Sequence, residues 1–197
     1  MKDSGKYTLL SVGELIDNGI IQARRGNEIG SQYYGSGDIP FVRTSDIVNW
    51  EIKFDPIKAV SEEIYNQYGK SQDVQETDIL FVNDGTFLIG RTAIVTKLDI
   101  RIIIQSHLRK LRVLDRQYID PYYFFYLLNS KIVRKQIDSK TFVQATISTI
   151  GNRLREIILP INNNRNEIRK RAEEIKKIID EKCVLREQTL RIVESSV

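Results

Sequence analysis

The chain has 197 residues, room for one domain and an appendage. Thirty Lys and Arg against 26 Asp and Glu give a net charge of +4, which excludes a histone-like polycation and an acidic disordered tail but allows a local basic face. A single cysteine, Cys183, and a single histidine, His107, exclude an internal disulfide and a cysteine-based zinc site. The opening stretch has no apolar signal core and no run approaches the ~20 apolar residues of a membrane span, so a soluble, cytoplasmic protein is expected.

In chain order, Leu9 to Asp17 carries Leu9, Val12, Leu15 and Ile16 at helical spacing, and Asn18-Gly19 ends that helix. Ile20 to Arg24 reads as a strand, Gly26 to Gly37 as a glycine-rich loop, and Ile39 to Val42 as a short strand. Ser45-Asp46 marks a turn, and Ser61-Glu62-Glu63-Ile64 opens a short helix reaching about Tyr68. Asp78 to Val82 is a buried strand, Asn83-Asp84-Gly85-Thr86 a turn, and Phe87 to Thr96 the returning strand. Gly90 within it marks a bulge or a close approach. Ile100 to Ile104 and Leu108 to Leu114 read as further strands. Asp120-Pro121 then starts a helix to Ile137 that buries Phe124, Leu127, Leu128, Ile132 and Val133, and Glu156 to Ile161 is a last strand. Strands with scattered helices and no regular βαβ alternation predict an α+β fold with a mixed or antiparallel sheet.

Composition changes near Pro160, which divides the chain into a domain, 1–160, and a helix, 161–197. Asn162-Asn163-Asn164 is a helix-capping sequence. The segment after it holds no Gly, Pro or aromatic residue. Ile161, Ile168, Ile175, Ile178, Leu185 and Ile192 form an apolar stripe that fits seven-residue spacing, with Ile179 beside it and interruptions at Lys182 and Thr189, and Ile168, Ile175, Ile178, Ile179, Leu185 and Ile192 are the expected interface. One charged helix cannot bury such a stripe alone, so the expectation is a coiled-coil pairing with another helix. On that expectation, placing Asp at Ile175 and Ile179 yields monomers. Folding back on its own domain is the alternative.

No phosphate loop, dinucleotide fingerprint or nucleophile elbow is present, and His107 stands without a nucleophile. The polar loops suit DNA instead. Phosphates need Lys or Arg, and base edges favour Arg, Asn, Asp, Ser and Thr. Arg24, Arg25, Arg43, Thr44, Ser45, Asn83, Asp84, Thr86, Arg109 and Lys110 are the candidate DNA-binding residues. Each loop alone is as readily an ordinary turn or a solvated surface. Trp50, Tyr33, Tyr34, Tyr65 and Tyr68 are read as packing residues, not stacking platforms.

The order of these segments carries a resemblance. Gly37 to Ile47, Asp78 to Arg91, the aromatic helix Pro121 to Ile137, Thr141 to Ile147 and Leu154 to Pro160 resemble, in sequence, the motifs of a target recognition domain. Such domains belong to specificity (S) subunits of type I restriction–modification systems. Two departures stand out: Glu76-Thr77-Asp78 lies where Gly-Asp is usual, and Asn162-Asn163-Asn164 replaces the second proline and the segment that usually precedes the helix.

The resemblance implies a target recognition domain followed by a long spacer and dimerisation helix that pairs as a coiled coil. It implies a non-catalytic chain that reads one half of a bipartite site in double-stranded DNA. Methyltransferase (M) subunits, which bind S-adenosylmethionine, and a restriction (R) subunit would be its partners; the chain itself needs no cofactor or metal. It would pair with a second copy, or be half of a longer subunit. Two rivals are a helix-mediated assembly module without DNA reading and the C-terminal recognition domain of a fused methyltransferase–restriction enzyme.

Overall fold

The computed structural model describes residues 5–85, 88–144 and 147–194. The chain enters as β1 (Tyr7–Ser11), which pairs antiparallel with a strand some 150 positions later, and passes directly into α1 (Val12–Asp17). The expected helix from Leu9 is therefore shorter. Ser11 caps α1 by accepting from Glu14 N, while the Glu14 carboxylate accepts from Ser11 N, a capping box that sets the start at Val12.

The centre is a four-stranded antiparallel sheet of β2 (Ile21–Arg25), β3 (Ile79–Val82), β4 (Thr92–Ile94) and β5 (Leu108–Val113), in the spatial order β2-β5-β3-β4. Both its faces are covered. Ile79, Phe81, Ile94, Leu111 and Val113 join the larger core under the helices, and Leu80, Val82, Ala93, Val95 and Leu108 join a second core on the other side. This alternation follows the two-residue period of a strand. A parallel pair, Phe41–Val42 with Ile103–Ile104, makes the topology mixed.

Asp120 caps α2 (Pro121–Asn129), accepting from Tyr122 N at 2.7 Å. The expected single helix is broken at Ser130, which takes an extended conformation, and α3 (Lys131–Lys140) follows. Phe124, Leu127, Leu128 and Val133 are buried as expected, whereas Ile132, on another side of α3 from Val133, is exposed. Trp50 packs edge-on against Phe125, and Tyr34 against Phe41, so both act as packing residues.

The expected turn at Asn83–Gly85 is instead a switch between sheets. Asn83 N and Asp84 N both donate to His107 O, and Asp84–Gly85 then pairs with the strand Ile147–Thr149, itself paired with Phe142–Gln144. Gly90 has φ 77°, and a Cβ there would meet Arg134 and Ile137, the close approach expected of it. Gly26 is tighter still, with a Cβ driven into the carbonyl oxygens of Ile104 and Gln105. Gly26→Ala is expected to destabilise the domain by at least about 1–3 kcal/mol, read as a lower urea midpoint.

The last strand, Ile158–Asn162, runs through the expected boundary at residue 160 and closes against β1. The C-terminal helix α4 (Arg165–Glu194) follows, and Asn164 Oδ1 caps it by accepting from Asn166 N at 2.9 Å. Its first half lies on α2 and folds back on its own domain. Ala172, Ile175 and Ile179 are buried in the main core, with Ile168 packed beside them. The second half is held to the domain by three ion pairs: Lys182–Glu51 at 2.6 Å, Lys97–Glu187 at 2.7 Å and Arg186–Asp99 at 2.7 Å. Ile175 and Ile179 are thus not partner-facing. The residues of the expected interface that remain exposed are Ile178, Leu185 and Ile192. Among the described residues no helix is long and apolar enough to cross a membrane.

Candidate nucleic-acid interface

At one end of the central sheet a cleft of about 440 Å³ is lined by Arg25, Asn83, Asp84, His107, Arg109, Phe142, Thr149, Gly151 and Asn152. Three separate strand ends deliver its charged and amide groups. Arg25 and Arg109 lie directly opposite each other on β2 and β5, so both side chains leave the same face of the sheet. Two like charges in that position repel, and the chain places Asn83 and Asp84 at the end of β3 beside them.

The contacts form a closed network. The Arg25 guanidinium donates to Asp84 Oδ2 through Nη2 and to Ser106 O through Nε. Asp84 Oδ1 accepts from Asn83 Nδ2 at 2.6 Å and from the Thr149 hydroxyl. Thr149 Oγ1 in turn accepts from Gly151 N at 2.8 Å. Arg109 Nε donates to Asn83 Oδ1 at 2.7 Å, and its Nη2 reaches Gly151 O and Asn152 Oδ1, each at 3.4 Å. His107 Nδ1 is buried 3.6 Å from Asp84 Oδ2 and makes no hydrogen bond among the described residues. On the rim, Arg153 stacks over the Phe142 ring at 4.9 Å.

Burial alone pushes the Asp84 carboxyl up, but the hydrogen bonds from Thr149 and Asn83 and the Arg25 charge outweigh it and hold it below its ordinary value. Its folded pKa is depressed. Its contribution to stability is therefore complete above the ordinary aspartate value of about 3.9 and is lost only as pH falls through the lower folded value. Burial, followed by repulsion from Arg25, draws the Arg109 pKa down against the pull of Asp84. The guanidinium nonetheless stays charged at neutral pH.

The candidate residues divide accordingly. Arg25, Asn83, Asp84 and Arg109 come together in the cleft. Thr44 approaches its edge, since a Cβ on Gly85 would lie 3.9 Å from Thr44 Oγ1. Arg24 is exposed but occupies the adjacent strand position, whose side chain leaves the opposite face of the sheet. Arg43 is committed to Asp55 at 2.9 Å and to Asp46 at 3.3 Å, and Ser45 Oγ bonds Asp46 at 3.1 Å. Arg43 therefore braces its loop. Lys110 is not at the surface as expected: it is 2% exposed, with Nζ on Gln72 O at 2.5 Å and Asp73 O at 2.7 Å. Thr86 lies outside the described residues.

His107, Phe142, Thr149, Asn152 and Arg153 were not among the candidates. Each is a lone polar or aromatic residue with no local pattern. The sequence signals available were two polar segments, Gln105 to Lys110 around His107 and Ser139 to Thr146 around Phe142.

The fold and the cleft define a class: a small α+β binding module that presents guanidinium, amide and hydroxyl groups at a sheet end and carries a long helix strapped along its back. The chain belongs to the type I restriction modification DNA specificity domain family, whose model matches residues 1–188. No curated protein matched it in sequence.

Its fold is similar to solved structures at low identity. A type I restriction–modification system S subunit from M. genitalium superposes with a TM-score of 0.64 at 15% identity, covering 99% of this chain and 45% of that one. A chain from a structure of the complex assembly and conformational transition of the type I R-M system gives 0.56 at 17%, covering 98% and 44%. The HsdS subunit from Thermoanaerobacter tengcongensis gives 0.54 at 13%, covering 95% and 41%. The chain thus spans less than half the length of each.

Proposed function

We propose that this chain is a sequence-specific DNA-recognition subunit of a type I restriction–modification complex, reading one half of a bipartite site through the cleft at the sheet end. The observation that carries this is the cleft itself. In a chain of the DNA specificity family, two arginines, an aspartate and an asparagine from three strand ends converge on one open surface. That is the mixture of charge and amide groups that base edges and phosphates require.

The chain does no chemistry of its own in this reading. It works in the cytoplasm and positions M subunits, which bind S-adenosylmethionine and methylate, and an R subunit, which cleaves. A second copy pairs with it through the outward side of α4, at Ile178 and Leu185, and two such copies read an interrupted palindrome.

The test is selection from a randomised duplex pool at moderate salt, followed by titration of the enriched duplex against salt. Enrichment of one short sequence is expected from a lone recognition domain, and of an interrupted palindrome from a pair. No enrichment refutes DNA reading and returns the chain to an assembly role. Because each neutralised phosphate contributes about 0.9 to the slope of log K against log salt, Arg153→Ala at the rim is expected to flatten that slope by about 0.9. An unchanged slope would remove Arg153 from the interface.

A further inference from the structure

We propose that Arg25 is the specificity-determining residue of the cleft, that it reads the O6/N7 edge of a guanine in the major groove, and that Asp84 is its positioning residue. The inference rests on the DNA-reading function proposed above and adds which residue selects which base.

The argument is an inventory of donors. A guanidinium has five N–H groups. Arg25 gives Nε–H to Ser106 O and one Nη2–H to Asp84 Oδ2. The other Nη2–H and both Nη1–H groups have no partner among the described residues, and the side chain is 54% exposed. The two outer nitrogens therefore present a fork whose plane is set from behind by two fixed acceptors. Of the two arginines in the cleft, Arg25 alone keeps donors on both outer nitrogens. Arg109 gives Nε–H to Asn83 Oδ1 and its Nη2 to two acceptors, Gly151 O and Asn152 Oδ1. Asn83 uses its oxygen for Arg109 and its nitrogen for Asp84, so it has no amide edge left to offer an adenine. Thr149 donates to Asp84 and accepts from Gly151 N.

A fork of two parallel donors fits either a phosphate or guanine O6/N7. Asp84 decides between them. Its carboxylate touches the same guanidinium and cancels most of its charge towards an anion, so a phosphate would meet repulsion close behind the arginine. A neutral acceptor pair meets none. Adenine presents an N6 donor where guanine has O6, and the fork has only donors to set against it.

The experiment uses the full chain and the duplex enriched by selection, with each G·C pair changed to A·T in turn. One position is expected to lose roughly 5- to 150-fold in affinity with the wild-type protein. Arg25→Gln loses the fork of donors, so the loss at that position is expected to shrink below about threefold while the other positions keep theirs. Arg25→Lys, which keeps a donor for guanine, is the second variant and is expected to keep part of the preference, and circular dichroism confirms that both are folded. Replacing the same guanine by 7-deazaguanine is expected to weaken wild-type binding by at least about threefold and to leave Arg25→Gln unaffected. Asp84→Asn is expected to flatten the preference at that one position and to raise affinity for unrelated DNA.

A wild-type protein that enriches a sequence whose every position survives Arg25→Gln overturns this inference and leaves DNA reading intact. Equal weakening of all sequences by Arg25→Gln also overturns it, making Arg25 a phosphate contact. No enriched sequence at all overturns DNA reading and this inference together.

Discussion

Ile175→Asp is expected to unfold the domain, not to split a pair of helices. Ile175 is 6% exposed and packs in the main core together with Ala172 and Ile179. Removing a buried isoleucine side chain costs about 2–5 kcal/mol, and a carboxylate stranded in the same place adds to it. With about 2–4 °C of Tm per kcal/mol for a chain of this size, the expected fall is at least roughly 4 °C. Leu185→Asp is the matched control. It lies ten positions on, 63% exposed, on the side of α4 turned away from the core. Its Tm is expected to stay within about 2 °C of the wild type, while any pair formed through α4 dissociates. Thermal melts and light scattering on the two variants separate the roles. An Ile175→Asp protein with wild-type Tm and halved mass would return Ile175 to the pairing surface.

That outcome reflects how one helix carries two apolar stripes. Seven-residue spacing places Ile168, Ile175 and Ile178 in one apparent seam. On a straight helix, however, 3.6 residues per turn rotate Ile178 and Leu185 away from Ile175 and Ile179. The sequence displays both stripes and cannot assign either to a partner. The α4–α2 contact, between segments some 45 positions apart, makes the assignment. The same limit hid β1. Tyr7–Ser11 has little periodicity of its own and becomes a strand because Ile158–Asn162 lies beside it.

Local signals were legible wherever the cause was local. Asp120 before Pro121 started a helix, Ile79–Val82 formed a strand buried on both faces, and Gly90 marked a close approach. Asn83-Asp84-Gly85 has turn chemistry and nonetheless forms a strand, since Ser148 and Thr149 supply the pairing partners. In the cleft, Arg25, Asn83, Asp84 and Arg109 were legible as residue types suited to DNA. Their convergence depended on the register of β2 against β5, which no short motif encodes. Arg109-Lys110 read as one basic patch, but adjacent strand positions face opposite ways. Arg109 goes to the cleft and Lys110 into the protein.

Lys110 accordingly carries the second large effect, on stability instead of DNA binding. Its ammonium lies over the carbonyls of Gln72 and Asp73, 3.5 Å from Asp78 Oδ2. Asp78 is 1% exposed and is also gripped by Arg112 through Nε at 2.7 Å and Nη2 at 2.8 Å. The ammonium thus ties β5 to the bend at Asp73, which has φ 46°. Lys110→Met preserves length and volume but leaves the Gln72 carbonyl without this donor and Asp78 with one cation in place of two; the Asp73 carbonyl keeps the Arg112 guanidinium. One unpaired buried acceptor costs about 1–3 kcal/mol, and loss of a buried charge partner is similar or larger, so a loss of roughly 3–5 kcal/mol is expected. Urea unfolding should register it as a lower midpoint with an unchanged slope. The folded fraction of the variant is expected to bind selected DNA with wild-type affinity, because the side chain is on the far side of the sheet from the cleft. A variant of normal stability with weakened DNA binding would show instead that Lys110 leaves its buried site to meet the phosphates.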